Sequence, residues 1–338
     1  MRQTSELQHH RELAGGETPR RRRGLRGPRR GLALGAVLLA ASALPAVAQA
    51  AGAPKASTGG AREVGYATAT LTGTVNPNAN NTSYYFQYGP TKAYGSQTAI
   101  ADAGSGTGGS SVRLAISGLQ PITVYHYRLV AVNGSGVATG DDRTLKTEKI
   151  PLSLQILASP NPVSFGSSVI VQGTLSGTGN ANRTVVLQAN PFPYTAGFQS
   201  VGNPDVTLPN GEFKFVVLNQ EQSTQFRVFT PTSTAVLSPV ATENVAVRVS
   251  SHVARTKRPG FARIYGTVTP AVIGAQVGML RIAQGRGILA GGTVVKPLNS
   301  ISGQFSRVVR VQKGAYRVLV KVAPGGVVSA YGTPLLIR

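Results

Sequence analysis

The sequence predicts an all-β protein: tandem antiparallel β-sandwiches that follow a cleaved export leader. Short stretches rich in β-branched and aromatic residues alternate apolar with polar at a period of two. Clusters of Gly, Pro and Asn separate these stretches, and two short triplets recur three times at nearly constant spacing. Of 338 residues 41 % are hydrophobic, enough for real cores, while 41 Gly and 21 Pro make the chain rich in turns. There is no Cys and no Trp. Disulfide scaffolds, thiolate metal sites and Cys nucleophiles are excluded together.

The first element is the leader. Seven Arg fall between residues 20 and 30, an apolar run covers residues 31–44, and Pro45 precedes Ala48-Gln49-Ala50. A basic segment, a 14-residue apolar run and a small-x-small site together predict a signal peptide over residues 1–50, cut after Ala50. As a helix the run reaches only about 21 Å, short of the roughly 30 Å hydrocarbon core, which argues against a membrane anchor. No later apolar run reaches 18 residues, so the mature chain is expected to lack a transmembrane segment and to be secreted, with retention at the cell wall left open. Residues 51–62 are expected to form a mobile tether.

Three modules follow. Gly73-Thr74-Val75, Gly173-Thr174-Leu175 and Gly266-Thr267-Val268 are answered by Tyr127-Arg128-Leu129, Phe226-Arg227-Val228 and Tyr316-Arg317-Val318. The Gly-to-Arg separations are 55, 54 and 51 residues. The second and third units also share Gly-x-Phe, as Gly211-Glu212-Phe213 and Gly303-Gln304-Phe305. Boundaries are placed at 63–150, 151–244 and 245–338. Inside the units Leu152, Leu154 and Ile156 alternate with Ser153 and Gln155, Phe213, Phe215 and Val217 with Glu212, Lys214 and Val216, and Tyr316, Val318 and Val320 with Arg317, Leu319 and Lys321. Such units of about 100 residues are the size of β-sandwiches.

In the first unit, Val75-Asn76-Pro77, Tyr84-Tyr85-Phe86-Gln87-Tyr88-Gly89 and Leu119-Gln120-Pro121-Ile122-Thr123-Val124-Tyr125 resemble the fibronectin type III family over about residues 62–147. The resemblance implies that Tyr125 is a tyrosine corner whose hydroxyl bonds back to the preceding turn. It also implies that Phe86 or Tyr88 fills the volume usually held by a buried Trp. The second and third units resemble bacterial immunoglobulin-like sandwiches, and neither shows a clear corner Tyr. In each, the aromatic of the second triplet, Phe226 or Tyr316, is expected in the core.

Catalytic chemistry is hard to find. Beyond the leader there is no Gly-x-Ser-x-Gly, Ser-x-x-Lys or His-Glu-x-x-His, and the two His, His126 and His252, fall in different units. Asp141 and Asp142 are expected as a turn cap rather than a calcium site. The run Gly104 to Ser111 lacks the helix and Lys of a phosphate cradle, and Val112-Arg113-Leu114-Ala115-Ile116 behind it is a strand pattern. No catalytic residue, metal ligand or cofactor site is expected, and no small-molecule substrate.

Charge is uneven. Residues 51–150 hold 8 basic and 5 acidic residues, 151–244 hold 3 and 4, and 245–338 hold 14 and none. If Tyr316 and Val318 face the core, Arg317 and Lys321 face solvent; Arg281, with Met279, joins them if Leu280 and Ile282 face inward, and Arg286 rims the patch. These four are the candidate anion-binding residues. The expected role is that of a non-enzymatic, extracellular or wall-associated binding, adhesion or spacer module. Its partner is expected to be an anionic cell-wall polymer or another surface protein, with nucleic acid as the less favoured polyanion.

Overall fold

Alternating side chains create strands only where one face can be buried, and in this chain the buried faces close three separate cores. The structure, a computed structural model, describes residues 51–338; the expected signal peptide lies outside the described residues. Every regular element among the described residues is a β-strand or bridge, apart from turns, and no helix there is long and apolar enough to cross a membrane.

In the first module Lys55–Thr58, Thr68–Asn76 and Ser110–Ser117 form one antiparallel sheet. Thr82–Gly89 pairs with Val124–Asn133, flanked by Ser96–Gln97 and Gly136–Thr139, to form the other. Leu71, Val75, Phe86, Tyr127 and Leu129 fill the space between them, and Phe86 is fully buried. The Tyr125 hydroxyl accepts the Gln120 backbone N–H at 2.9 Å, so the corner forms as the resemblance implied.

The mobile tether expected over residues 51–62 is not found; the stretch carries the first strand instead. Thr58 is buried, its hydroxyl accepts the Leu129 N–H at 3.1 Å, and the Tyr127 hydroxyl donates to the Gly59 carbonyl at 2.9 Å. Lys-Ala-Ser-Thr shows no hydrophobic alternation, because hydrogen bonds rather than apolar area hold this edge.

The second module pairs Ser153–Ser159, Ser167–Ser176 and Glu212–Gln220 against a sheet centred on Thr184–Pro191 and Thr224–Phe229. The third pairs Arg248–Arg255, Phe261–Thr269 and Gly303–Arg310 against Arg286–Val294, Gln276–Ala283 and Gly314–Lys321. Phe226 and Tyr316 sit in their respective cores, at 0 % and 1 % exposure. Contrary to expectation, the third module has a corner of its own. Tyr316 hydroxyl accepts the Gln312 N–H at 3.0 Å and donates to the Gln312 carbonyl at 3.2 Å. The sequence hides it because the loop partner lies four residues upstream without the Leu-x-Pro framing of the first module.

The repeated glycines have a steric cause. Gly73, Gly173 and Gly266 lie mid-strand, where an added Cβ would strike the carbonyl of Ser57, Gln155 or Ser250 on the neighbouring strand. In the last two, the Phe of the Gly-x-Phe motif is the cross-strand partner, Gly173 beside Phe213 and Gly266 beside Phe305, with the ring tip over the glycine. The two motifs recur together because each needs the other: a bare backbone and a ring to cover it.

The second and third modules share backbone bonds. Val163–Ser164 pairs in parallel with Val245–Ala246, and the Val245 carbonyl in turn accepts Val328 N–H at 2.7 Å. Ser223 N–H donates to the Gly326 carbonyl at 2.6 Å. At this joint Glu243 is fully buried, one carboxyl oxygen accepting Val163 N–H at 3.0 Å and the other without a partner among the described residues. Burial pushes its carboxyl up to about 7, against the opposing pull of the Val163 bond.

Candidate functional site

The arginine of the second repeated triplet lies on the outer face of the same sheet in each module, stacked on an aromatic ring. The guanidinium-to-centroid distances are 4.8 Å for Arg128 over Tyr94, 4.2 Å for Arg227 over Phe198 and 4.9 Å for Arg317 over Tyr331. Strand alternation produces this: the aromatic before each Arg points inward, so the Arg must point out. In the first two modules the Arg Nε also donates to a Gln on the paired strand, Arg128 to Gln87 at 2.8 Å and Arg227 to Gln188 at 2.7 Å.

The first module adds charge compensation to this face. His126 Nδ1 lies 2.8 Å from Asp142 Oδ2, and the Tyr94 hydroxyl donates to Asp142 Oδ1 at 3.1 Å. Partial burial works against the Asp142 charge, but the bonds from His126 and Tyr94 outweigh it and hold the carboxyl below its ordinary value. Asp142 therefore anchors a side-chain network across the sheet, not a turn cap. A His–Asp pair alone does no acyl transfer; that chemistry needs a hydroxyl or thiol on the far imidazole nitrogen. Among the described residues no group of three or more His, Asp or Glu is placed to hold a metal ion.

The third module breaks the pattern. Leu280 occupies the place of Gln87 and Gln188 opposite Arg317, so the guanidinium loses that acceptor. Around it lie Leu289, exposed at 66 %, and Leu319, with Gly278 and Gly292 side by side between them. Lys321 stands two residues beyond Leu319 on the same strand. These groups line a slot of about 520 Å³, apolar over most of its wall.

The four candidate anion-binding residues do not form one patch. Arg317 and Lys321 share the outer face, as expected. Arg281 does not join them: it pairs with Tyr316, and its neighbour Met279 is fully buried opposite Val318. The strand runs in the opposite phase to the expectation, with Val277 and Met279 inward and Leu280 outward. Met279, unbranched and flexible, packs in the same buried core as Val277, Ile264 and Val318. Arg281 is consequently half-buried at the end of the sandwich, its Nε without a partner among the described residues. Arg286 is exposed at the tip of the hairpin turned by Gln284 and Gly285, in register with Ala283 and so in the phase of Arg281.

Sequence reasoning used the Tyr-Arg and Phe-Arg triplets to mark repeats, to place their aromatics in the core and to turn Arg317 outward, but missed the shared stacking of the three arginines. The available signal was the Gln at fixed register before each Arg in the first two modules and its replacement in the third. The slot left a second trace: Gly278 and Gly292 interrupt strand-forming stretches where Val or Ile is the ordinary choice.

No protein-family model matches the sequence, and no curated protein matches it. Among solved structures, the chain is similar to the chicken CNTN1 FN1-FN3 domains at 16 % identity and a TM-score of 0.27, covering 84 % of this chain and 97 % of that one. It is similar also to a tetra-tandem repeat in the extending region of a large adhesion protein, at 16 % identity and a TM-score of 0.30, covering 85 % of this chain and 74 % of that one.

Proposed function

We propose that the protein is an exported, non-enzymatic binding and spacing module, acting outside the cell or at its wall. The observation that carries this reading is the joint at residues 244–246, where the Asn244 and Ala246 carbonyls accept Val163 and Phe165 N–H while the Val245 carbonyl accepts Val328 N–H, tying the second and third sandwiches without a free linker. A chain built to hold surfaces apart needs such joints; a catalyst needs a pocket with converging polar groups. Three Cys-free cores, two closed by tyrosine hydroxyls, suit a protein that must stand on packing alone.

Fractionating producing cells and following the chain in cytoplasm, membrane, wall and medium tests export. Recovery with an intact leader in the cytoplasm refutes it. Turnover of any substrate that disappears on changing one carboxylate, Asp142 first, refutes the non-enzymatic role.

The composition of the last module favours a second reading, in which it holds an anionic polymer such as a wall polymer or nucleic acid. Fourteen basic residues and no acidic one give the module a net charge of +14. Binding of polyphosphate by the full chain, weakening steeply as salt rises, supports that reading; flat isotherms at low salt refute it.

A further inference from the structure

We propose that the outer face of the Gly314–Lys321 sheet is a binding site for an anionic amphiphile, an alkyl chain ending in a phosphate-type headgroup. The chain lies in the slot over Gly278 and Gly292, and the headgroup meets Lys321 at its end. The proposal rests on the second reading above in one respect, that cations of this module meet an anion; the apolar slot is its own content.

The glycines make the case. A glycine inside a strand weakens it, and where packing does not require one it marks close approach by something else. Gly266 is required by packing, since a Cβ there would strike the Ser250 carbonyl. Gly278 and Gly292 are not. A Cβ on Gly278 would come no nearer than 3.6 Å to Leu289, one on Gly292 no nearer than 3.4 Å to the Val277 carbonyl, and neither has a positive φ. They are cross-strand partners, so the two missing side chains merge into one trough.

The walls are apolar, with Leu289 and Val294 exposed and Leu280 and Leu319 half-buried. Leu280 and Leu289 are partners on one side, Leu319 flanks Gly278 on the other, and Val294 sits at one end, 43 % exposed. The volume of about 520 Å³ falls within the roughly 300–1,000 Å³ of ligand pockets.

Charge selects the occupant. Lys321 is level with Gln276 and Val294 at the end of the trough, and Arg317 is level with Leu280. A second copy of this chain would bring the same cations face to face with no acid in the module to offset them. A polymer of charge alone gains nothing from burying Leu289. The equivalent faces of the other modules carry Gln87 or Gln188 at the Leu280 position, so the trough is built in one module of the three.

Calorimetric titration of the full chain with dodecyl phosphate, below its micelle concentration, tests the proposal. Inorganic polyphosphate and dodecyltrimethylammonium are the comparison ligands. Saturable binding of dodecyl phosphate is expected, weakened about tenfold or more by Gly292→Val, which fills the trough without altering charge, and similarly by Lys321→Ser. Arg310→Ser, on the opposite sheet, should leave it unchanged. Circular dichroism checks that Gly292→Val folds, and Lys321→Ser carries the test if it does not. Equal binding of the cationic amphiphile, or undiminished binding by folded Gly292→Val, overturns the site. Polyphosphate binding without any dodecyl phosphate binding overturns it too, while leaving the polyanion reading intact. The reverse result keeps the site and removes that reading. A dimer of the unliganded chain that Leu289→Ser dissociates assigns the face to self-association and overturns the proposal.

Discussion

Replacing Glu243 by Gln keeps the shape of the side chain and the acceptor for Val163 N–H while removing the ionisable proton. The carboxyl is fully buried, pairs across the sheet with Thr224, and has Ser223 and Val245 beside it. Its raised value arises from burial with no charged group offsetting it. In the unfolded chain the group titrates near 4.5, in the native protein near 7. Between those values the native state holds a proton that the unfolded state has released, so stability falls as pH rises. The contribution is complete below pH 4.5 and lost above pH 7, for a total of about 3 kcal/mol. Urea unfolding of wild type and Glu243→Gln at pH 4.5, 6 and 8, followed on the transition of the second module, isolates this effect from other titrating groups. The two should agree at pH 4.5, with the variant more stable by up to about 3 kcal/mol at pH 8. A difference independent of pH would falsify the assignment of a neutral acid to the joint.

Phe226→Ala should cost about 3–5 kcal/mol, because the ring is fully buried between the strands of Ala189 and Ala241; an unchanged urea midpoint would show that the wrong face had been placed inward. Tyr316→Phe removes both bonds to the Gln312 backbone and should lower stability by about 0.5–1.5 kcal/mol, as should Tyr125→Phe in the first module; melting temperatures indistinguishable from wild type would refute the corners. Gly173→Ala should destabilise by about 1–3 kcal/mol, since its Cβ meets Gln155 and Phe213, whereas Gly278→Ala should be neutral or stabilising; equal effects would undo the distinction between the two kinds of glycine. Asp142, held below its usual 3.8, contributes stability that is present above that value and lost as pH falls through the acid range; the penalty of Asp142→Asn should shrink below pH 4, and a constant penalty from pH 3 to 7 counts against the network.

Alternation reveals which residues are buried only when both phases differ in polarity. Tyr316, Val318 and Val320 were legible because the opposite phase of the strand carries Arg317 and Lys321. From Gly278 to Ile282 almost every residue is apolar, so the phase of Met279 and Arg281 was open, and only packing resolves it. The strand Lys55–Thr58 was invisible for the opposite reason: its residues are small and polar, and its bonds run to partners 15 to 71 positions away. Glu243 looked like any carboxylate at a module boundary, because the residues that meet it, Val163 and Thr224, come from strands distant in the chain. The stacked arginines were legible in principle from the repeat, but the rings beneath them share no motif: Tyr94 and Phe198 precede short edge strands, and Tyr331 lies on a strand near the end of the third module.

The tyrosine corners have one further consequence. A hydroxyl that pins a loop by hydrogen bonds contains no bond that a reductant can cleave. Glutathione or another thiol that opens sulfur-bridged sandwiches would leave Tyr125 and Tyr316 in place, so cohesion here follows temperature and pH rather than electron supply.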